Sequence, residues 1–186
     1  MSPPSNYFDF FGLPHKLNLD SKDLESRFYA LSKQWHPDRF ARGSADQRRI
    51  SEDATATLND GYRTLKEPIA RAEYLLKEHG FDSSEQKSSN IPPELLEEVF
   101  ELNMALEEIE TSRPQLEEAR RKFVTMREDI DRELLTQFAA YDESQDRATL
   151  QKVRGILNRR TYIRNLVNQV EDALATGRVR QALRHD

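Results

Sequence analysis

The sequence predicts an all-α chain in two units, an antiparallel helical hairpin with a polar corner at its tip, followed by a three-helix bundle. Three observations carry that prediction. Apolar residues recur at steps of three and four through most of the chain, the spacing that places them on one face of a helix. Prolines fall at the edges of these runs, at positions 37, 68, 92, 93 and 114, where they end one helix or begin the next. The polar, Ser-rich stretch FDSSEQKSSNIP, residues 81–92, separates the periodic segments into two groups and reads as a linker. The expected division is therefore 1–80, a linker at 81–92, and 93–186.

Composition narrows the function classes. Of 186 residues, 33% are charged and 37% hydrophobic, which suits a helix-rich protein with modest cores. No apolar run approaches the roughly 18 residues that span a bilayer, and MSPPSNYFDFFG lacks the basic and apolar regions of a secretory leader. A cytoplasmic chain with no membrane partner is expected. The absence of cysteine excludes disulfides, thiolate metal sites, thiol nucleophiles and cysteine-ligated iron–sulfur clusters. None of the four His lies three residues after a Glu, so the helical Glu-x-x-His pair of di-iron bundles is missing. There is no phosphate loop, HExxH or nucleophile elbow. The expectation is a non-enzyme with no catalytic residues, no metal and no cofactor.

Charge is unevenly placed behind the net value of −5. Residues 1–80 balance 12 bases against 12 acids, whereas residues 91–110 carry seven Glu and no base, and residues 147–166 six bases and no acid. Two readings follow: neighbouring helices pair their charged flanks, or one patch recognises a partner. Nucleic acid is not an expected partner, because the balance is acidic.

In chain order, NYFDFFGLP reads as an opening helical turn with Tyr7, Phe8, Phe10 and Phe11 packed inward. Asp20 or Ser21 can cap a helix to about Trp35 with Leu24, Phe28, Leu31 and Trp35 as its buried stripe, leaving Arg27 and Lys33 facing outward. Pro37 locks φ, lacks an N–H and biases His36 away from the α region, so His36 should end that helix and Asp38 should project from a stiff turn. RFARGSADQRR reads as a polar loop closed by Ser44, a candidate cap. A third helix carries Ile50, Ala54, Leu58, Tyr62 and Leu65 and stops near Lys66, before Pro68. A fourth places Ile69, Ala72, Leu75 and Leu76 on one side and stops at Gly80, where His79 is a helix-end residue.

HPD at the tip of a helical hairpin, after KQW, resembles the J domain, the module that drives DnaK-type chaperones; the resemblance covers about residues 5–78. NYFDFFGLP, HPDRF, TLNDGYRTLKEPIARAEYLLKEHG and a helical acidic second half resemble the HscB family of J-type co-chaperones of iron–sulfur cluster assembly. That resemblance implies that His36, Pro37 and Asp38 engage the ATPase domain of an HscA-like chaperone, aided by Arg27, Lys33 and Arg39. It also implies that the second half delivers the scaffold protein IscU.

In that half, Ile91-Pro92-Pro93-Glu94 is a good helix start, and helices are expected over about 93–111, 114–140 and 146–175, with DESQD (142–146) between the last two. Leu95, Val99, Leu102, Leu106 and Ile109 form the core stripe of the first. Leu96, Phe100 and Met104 form a second stripe, centred roughly 140° away, which one bundle seam cannot also bury. Glu97 and Glu101 rim it on one side and Glu107 on the other. The last helix has a core stripe of Val153, Ile156, Ile163, Val167, Val170 and Leu174, from which Tyr162 points away. The second stripe is thus a partner site, a contact with the first domain or a self-association surface. The resemblance implies scaffold binding there: Leu96, Phe100, Glu101 and Tyr162 fit the family pattern, whereas Glu97 and Met104 stand where an apolar and an acidic residue are expected. A J protein for another client and a structural adaptor that self-associates remain alternative readings.

Overall fold

The computed structural model describes residues 6–81, 96, 97, 100 and 113–176. All regular structure among them is helical. The chain divides into two compact units, residues 1–81 with 138–146, and residues 82–137 with 147–186.

The first unit opens with α1 (Tyr7–Phe11), capped by Asn6, whose side-chain oxygen accepts from the N–H groups of Phe8 and Asp9. Gly12 ends it at φ 62°, a conformation that a side chain would strain. Phe8, Phe10 and Phe11 are buried, while Tyr7 is half-buried and stacks on Tyr74. Asp20 caps α2 (Ser21–Trp35), and a single turn, α3 (Pro37–Phe40), follows directly. The polar loop expected after the corner therefore begins as helix, because Pro37 at its first position is preorganised for one. Ser44 then caps α4 (Ala45–Lys66) in a reciprocal box with Gln47. α5 (Pro68–Glu78) places Ala72, Leu75 and Leu76 in the core, and the chain leaves it through Gly80 at φ 76°.

α2 and α4 run antiparallel: Trp35 at the end of α2 meets Ser51 near the start of α4, and Phe28 stacks on Tyr62 with centroids 4.3 Å apart. Of the stripe expected on α2 only Leu24 is buried; Phe28, Leu31 and Trp35 are half-buried. Two helices side by side cover each other along one seam, which shields a stripe less than a full bundle does. α1 crosses α4 at Gly61, where an added Cβ would lie 3.0 Å from the Phe11 ring and 3.1 Å from that of Tyr7. Only glycine allows that approach without displacing a ring.

Residues 138–146 complete this unit. Phe138 and Tyr141 are buried, and the Asp142 carboxylate accepts from the Leu17 N–H (2.6 Å), the Asn18 N–H (2.8 Å) and the Asn18 side-chain amide (2.9 Å). On the other side of the same residue, Arg71, buried in α5, donates from Nε to the Leu17 carbonyl at 2.8 Å and from Nη1 to that of Leu65. Burial pushes the Arg71 guanidinium below its ordinary pKa, and Asp142 opposes that shift.

α6 (Arg113–Ser144) extends further than the expected end near 140, and α7 (Arg147–Thr176) begins one residue after the expected 146. Asp142, Glu143 and Ser144 are helical rather than connecting, because Gln145 makes the turn at φ 53° and donates its N–H back to the Tyr141 carbonyl at 2.7 Å. In the second unit, Leu116, Phe123, Ile130 and Leu134 of α6 and Leu150, Val153, Ile156, Leu157, Ile163, Val167 and Val170 of α7 are buried. Leu174 is half-buried. The basic residues of α7 pair with acids of α6, Arg160 with Asp131 and Arg159 with Glu133, and Arg120 of α6 pairs with Glu171 of α7. This crossed order makes α6 and α7 antiparallel. The helix expected over 93–111 lies outside the described residues except at Leu96, Glu97 and Phe100, which are helical, and the linker expected at 81–92 lies outside them beyond Phe81.

Asp142→Ala removes the acceptor of two backbone N–H groups and leaves Arg71 without its neighbouring acid. Thermal unfolding of the full chain should show a loss of about 1.5–3 kcal/mol. Glu143→Ala, at the exposed neighbouring position, should show almost none.

Candidate functional site

The corner is built by a shortage of donors. A helix leaves its last carbonyls without intrahelical N–H partners. At the end of α2 the shortage is sharpened, because Pro37 has no N–H and the next two are used locally: Asp38 N–H donates to His36 Nδ1 (3.3 Å) and Arg39 N–H to the His36 carbonyl (3.0 Å). Donors come instead from side chains. The Arg39 guanidinium donates to the Lys33 carbonyl at 3.3 Å, and the Ser51 hydroxyl of α4 donates to the Trp35 carbonyl at 2.7 Å. Thr55, one turn further along α4, lies within reach of the same carbonyl at 3.2 Å. Phe40 lies nearly parallel to Trp35, 13° between ring planes, closing the apolar side of the turn.

The corner offers an exposed carboxylate and an exposed imidazole on a stiff frame. The Asp38 side chain is 91% exposed and that of His36 58%. Because Nδ1 of His36 accepts from the Asp38 amide, the neutral ring carries its proton on Nε2, which is left to donate outward. Asp38 Oδ2 stands 3.6 Å from the same Nδ1. A carboxylate so exposed can accept two parallel hydrogen bonds from a guanidinium.

The structure groups Lys33, His36, Pro37, Asp38 and Arg39 at this corner, and all five are exposed. Arg27 differs. Rather than facing outward, it is half-buried, with Nη1 donating to the carbonyls of Phe11 (3.1 Å) and Gly12 (2.7 Å) and Nε to Asp23. The end of α1 has orphan carbonyls of its own, and this guanidinium satisfies them. Arg27 is also nine residues from His36, about 14 Å along the helix.

For the second group, Leu96 is 51% and Phe100 66% exposed; Glu97 is exposed as well. Leu96 and Phe100 lie four residues apart on helical backbone and so share a face. Glu101, Met104 and Glu107 lie outside the described residues. Tyr162 is half-buried, and burial raises its phenol pKa above the ordinary value. Among the described residues no group of three or more His, Asp or Glu could hold a metal ion, and no helix is long and apolar enough to cross a membrane.

Sequence reasoning missed Ser51 and Thr55 at the corner. Their signal was a pair of hydroxyls one turn apart beside the core positions Ala54 and Leu58, where a helix of this polarity has no other reason to bury one.

An antiparallel helical pair closed by an exposed His-Pro-Asp turn and followed by a helical second unit defines a J-domain co-chaperone. The family model described as the HSCB C-terminal oligomerisation domain matches residues 91–171. Among solved structures, the chain is similar to the chaperone HscB from Vibrio cholerae at 33% identity and a TM-score of 0.62, over 90% of this chain and 96% of that one. It is similar to the human co-chaperone protein HscB at 25% identity and a TM-score of 0.68, over 92% and 84%. The chain belongs to the HscB family of co-chaperones.

The corner geometry fixes the His36 tautomer. Long-range proton–nitrogen spectra of the full chain at neutral pH should show His36 protonated at Nε2. Protonation at Nδ1 alone would mean that the ring turns to the Asp38 carboxylate instead of its amide.

Proposed function

We propose that this chain stimulates ATP hydrolysis by an HscA-like, DnaK-type chaperone and delivers an IscU-like iron–sulfur scaffold to it. The observation that carries the first half is the exposed Asp38 carboxylate on a turn whose backbone is held by Ser51 and Arg39. A carboxylate already fixed in place loses little conformational freedom when a partner cation binds it. On this reading His36, Pro37 and Asp38 meet the chaperone directly, Lys33 and Arg39 add positive charge beside them, and Arg27 serves the base of the hairpin through α1. Binding shifts the chaperone toward its hydrolysing conformation, so the protein activates a reaction it does not itself carry out.

The second half rests on membership of the HscB family and on the exposure of Leu96 and Phe100. The scaffold is taken by Leu96 and Phe100, with Met104 continuing their stripe, Glu97 and Glu101 at its edge and Tyr162 contributing from α7. A second reading is self-association through the same side chains, favoured by the description of the matched model as an oligomerisation domain. Sedimentation of the full chain separates the two: a monomer that binds the scaffold supports delivery, and a dimer dissociated by Phe100→Ala supports self-association.

Single-turnover ATP hydrolysis by the chaperone should accelerate on adding this protein and accelerate further with the scaffold present. Asp38→Asn should abolish the stimulation, since truncating one member of such a charge pair costs about 2–5 kcal/mol, roughly 30-fold or more in affinity. Phe100→Ala should weaken scaffold binding by about ten-fold or more while stimulation without scaffold persists. Stimulation that survives Asp38→Asn would remove the first half of the proposal, and unchanged scaffold affinity in Phe100→Ala would move the client site elsewhere.

A further inference from the structure

We infer that Ser51 and Thr55 of α4 form a two-hydroxyl latch that positions the His-Pro-Asp corner and thereby sets how well this chain activates its chaperone. The inference rests on the proposed function for its readout and on geometry for its substance.

The last carbonyl of α2 belongs to Trp35, immediately before His36. Its continuation as helix is blocked at Pro37, and the amides of Asp38 and Arg39 are occupied by His36. Ser51 is fully buried, at 0% exposure, and its hydroxyl donates to the Trp35 carbonyl at 2.7 Å. A buried serine on a helix commonly bonds back to its own preceding turn. This one reaches across to the neighbouring helix.

Thr55 supplies the second donor. Its hydroxyl has one proton and two acceptors within reach, the Ser51 carbonyl at 2.8 Å and the Trp35 carbonyl at 3.2 Å. The shorter contact is the resting one, and rotation of the hydroxyl about its Cβ–Oγ1 bond redirects the proton to Trp35 when Ser51 cannot serve it. The latch thus has a primary donor and a reserve. Together they tie the backbone one residue before His36 to α4, so that His36 and Asp38 move with α4 as well as with the end of α2.

The role is positioning, not contact. Ser51 touches no partner, being buried, and acts through the peptide that carries His36. Losing the latch should therefore leave the fold and the client site in place while loosening the corner, which raises the ordering cost of binding.

The test compares Ser51→Ala, Thr55→Val and the double variant with wild type in single-turnover ATP hydrolysis, titrating the full chain against the chaperone well below each variant's thermal midpoint. Thr55→Ser, which keeps the hydroxyl, serves as the conservative variant. The expected result is a rise of about three-fold in the half-maximal concentration for Ser51→Ala and of about ten-fold for the double variant, with wild-type behaviour in Thr55→Ser and unchanged scaffold affinity throughout. Asp38 amide hydrogen exchange should quicken in the same order. Superimposable titrations for folded wild type and double variant, with wild-type Asp38 exchange, would overturn the latch alone. Absence of stimulation by wild type would overturn the functional reading, and Asp38 exchange would then decide the latch on its own: faster exchange in the double variant supports it, and unchanged exchange overturns it. Should the double variant fail to fold, Ser51→Ala with Thr55 retained carries the same comparison.

Discussion

Satisfying the carbonyls at the end of α2 without amides is the constraint on which the first unit depends. A proline placed one residue past a helix ends it cleanly but removes a donor where donors are already scarce. The chain answers with two side chains from two places: Arg39 turns back to the Lys33 carbonyl, and Ser51 reaches over from α4 to that of Trp35. Each answer also narrows the corner's freedom. The tripeptide that exposes Asp38 is the same one that makes those supports necessary, so exposure and rigidity arise together rather than in competition.

A similar economy holds Leu17. Its N–H is taken by Asp142 and its carbonyl by Arg71, so one residue in an irregular segment has both its backbone polar groups satisfied by charged side chains. Charge-assisted bonds of this kind are the stronger ones, and a buried guanidinium without a carboxylate nearby would be costly. Asp142 serves both ends, capping the backbone of Leu17 and Asn18 while its charge offsets the burial of Arg71. The contact joins residues 125 apart in sequence, which makes residues 138–146 part of the first unit's interior as much as its own helices are.

That distance explains what could and could not be read beforehand. The limits of α2, α4 and α5 followed from local chemistry, and α4 ends at Lys66 because Pro68 lies two residues on. The Ser44 cap was legible for the same reason, and Gln47 completes it three residues later. The corner's exposure followed from Pro37 alone. Partners far apart in sequence were hidden: nothing local distinguishes Arg71 from the other bases of the chain, or Asp142 from the acids beside it. The end of α6 was misplaced because DESQD has the composition of a turn, while the turn itself needs only Gln145 in the left-handed region. Arg27 reads as an outward base by its helical position, yet α1 places two unsatisfied carbonyls within its reach.

The two proposed recognition sites rest on different physics. At α7 part of the concentrated positive charge is answered within the unit, with Arg159 and Arg160 set against Glu133 and Asp131 of α6. Exposed or partly exposed pairs of this kind contribute little stability, but they remove those guanidinium groups from ready use by an outside partner. What Leu96 and Phe100 offer is apolar area, which gains by leaving water and has no preferred direction. The corner offers the reverse, one directed carboxylate on a fixed backbone with little apolar surface. An apolar face tolerates exchange between apolar side chains of similar size. A directed carboxylate tolerates none, because a neutral or shifted group at Asp38 loses both the charge and the geometry that the surrounding hydrogen bonds maintain.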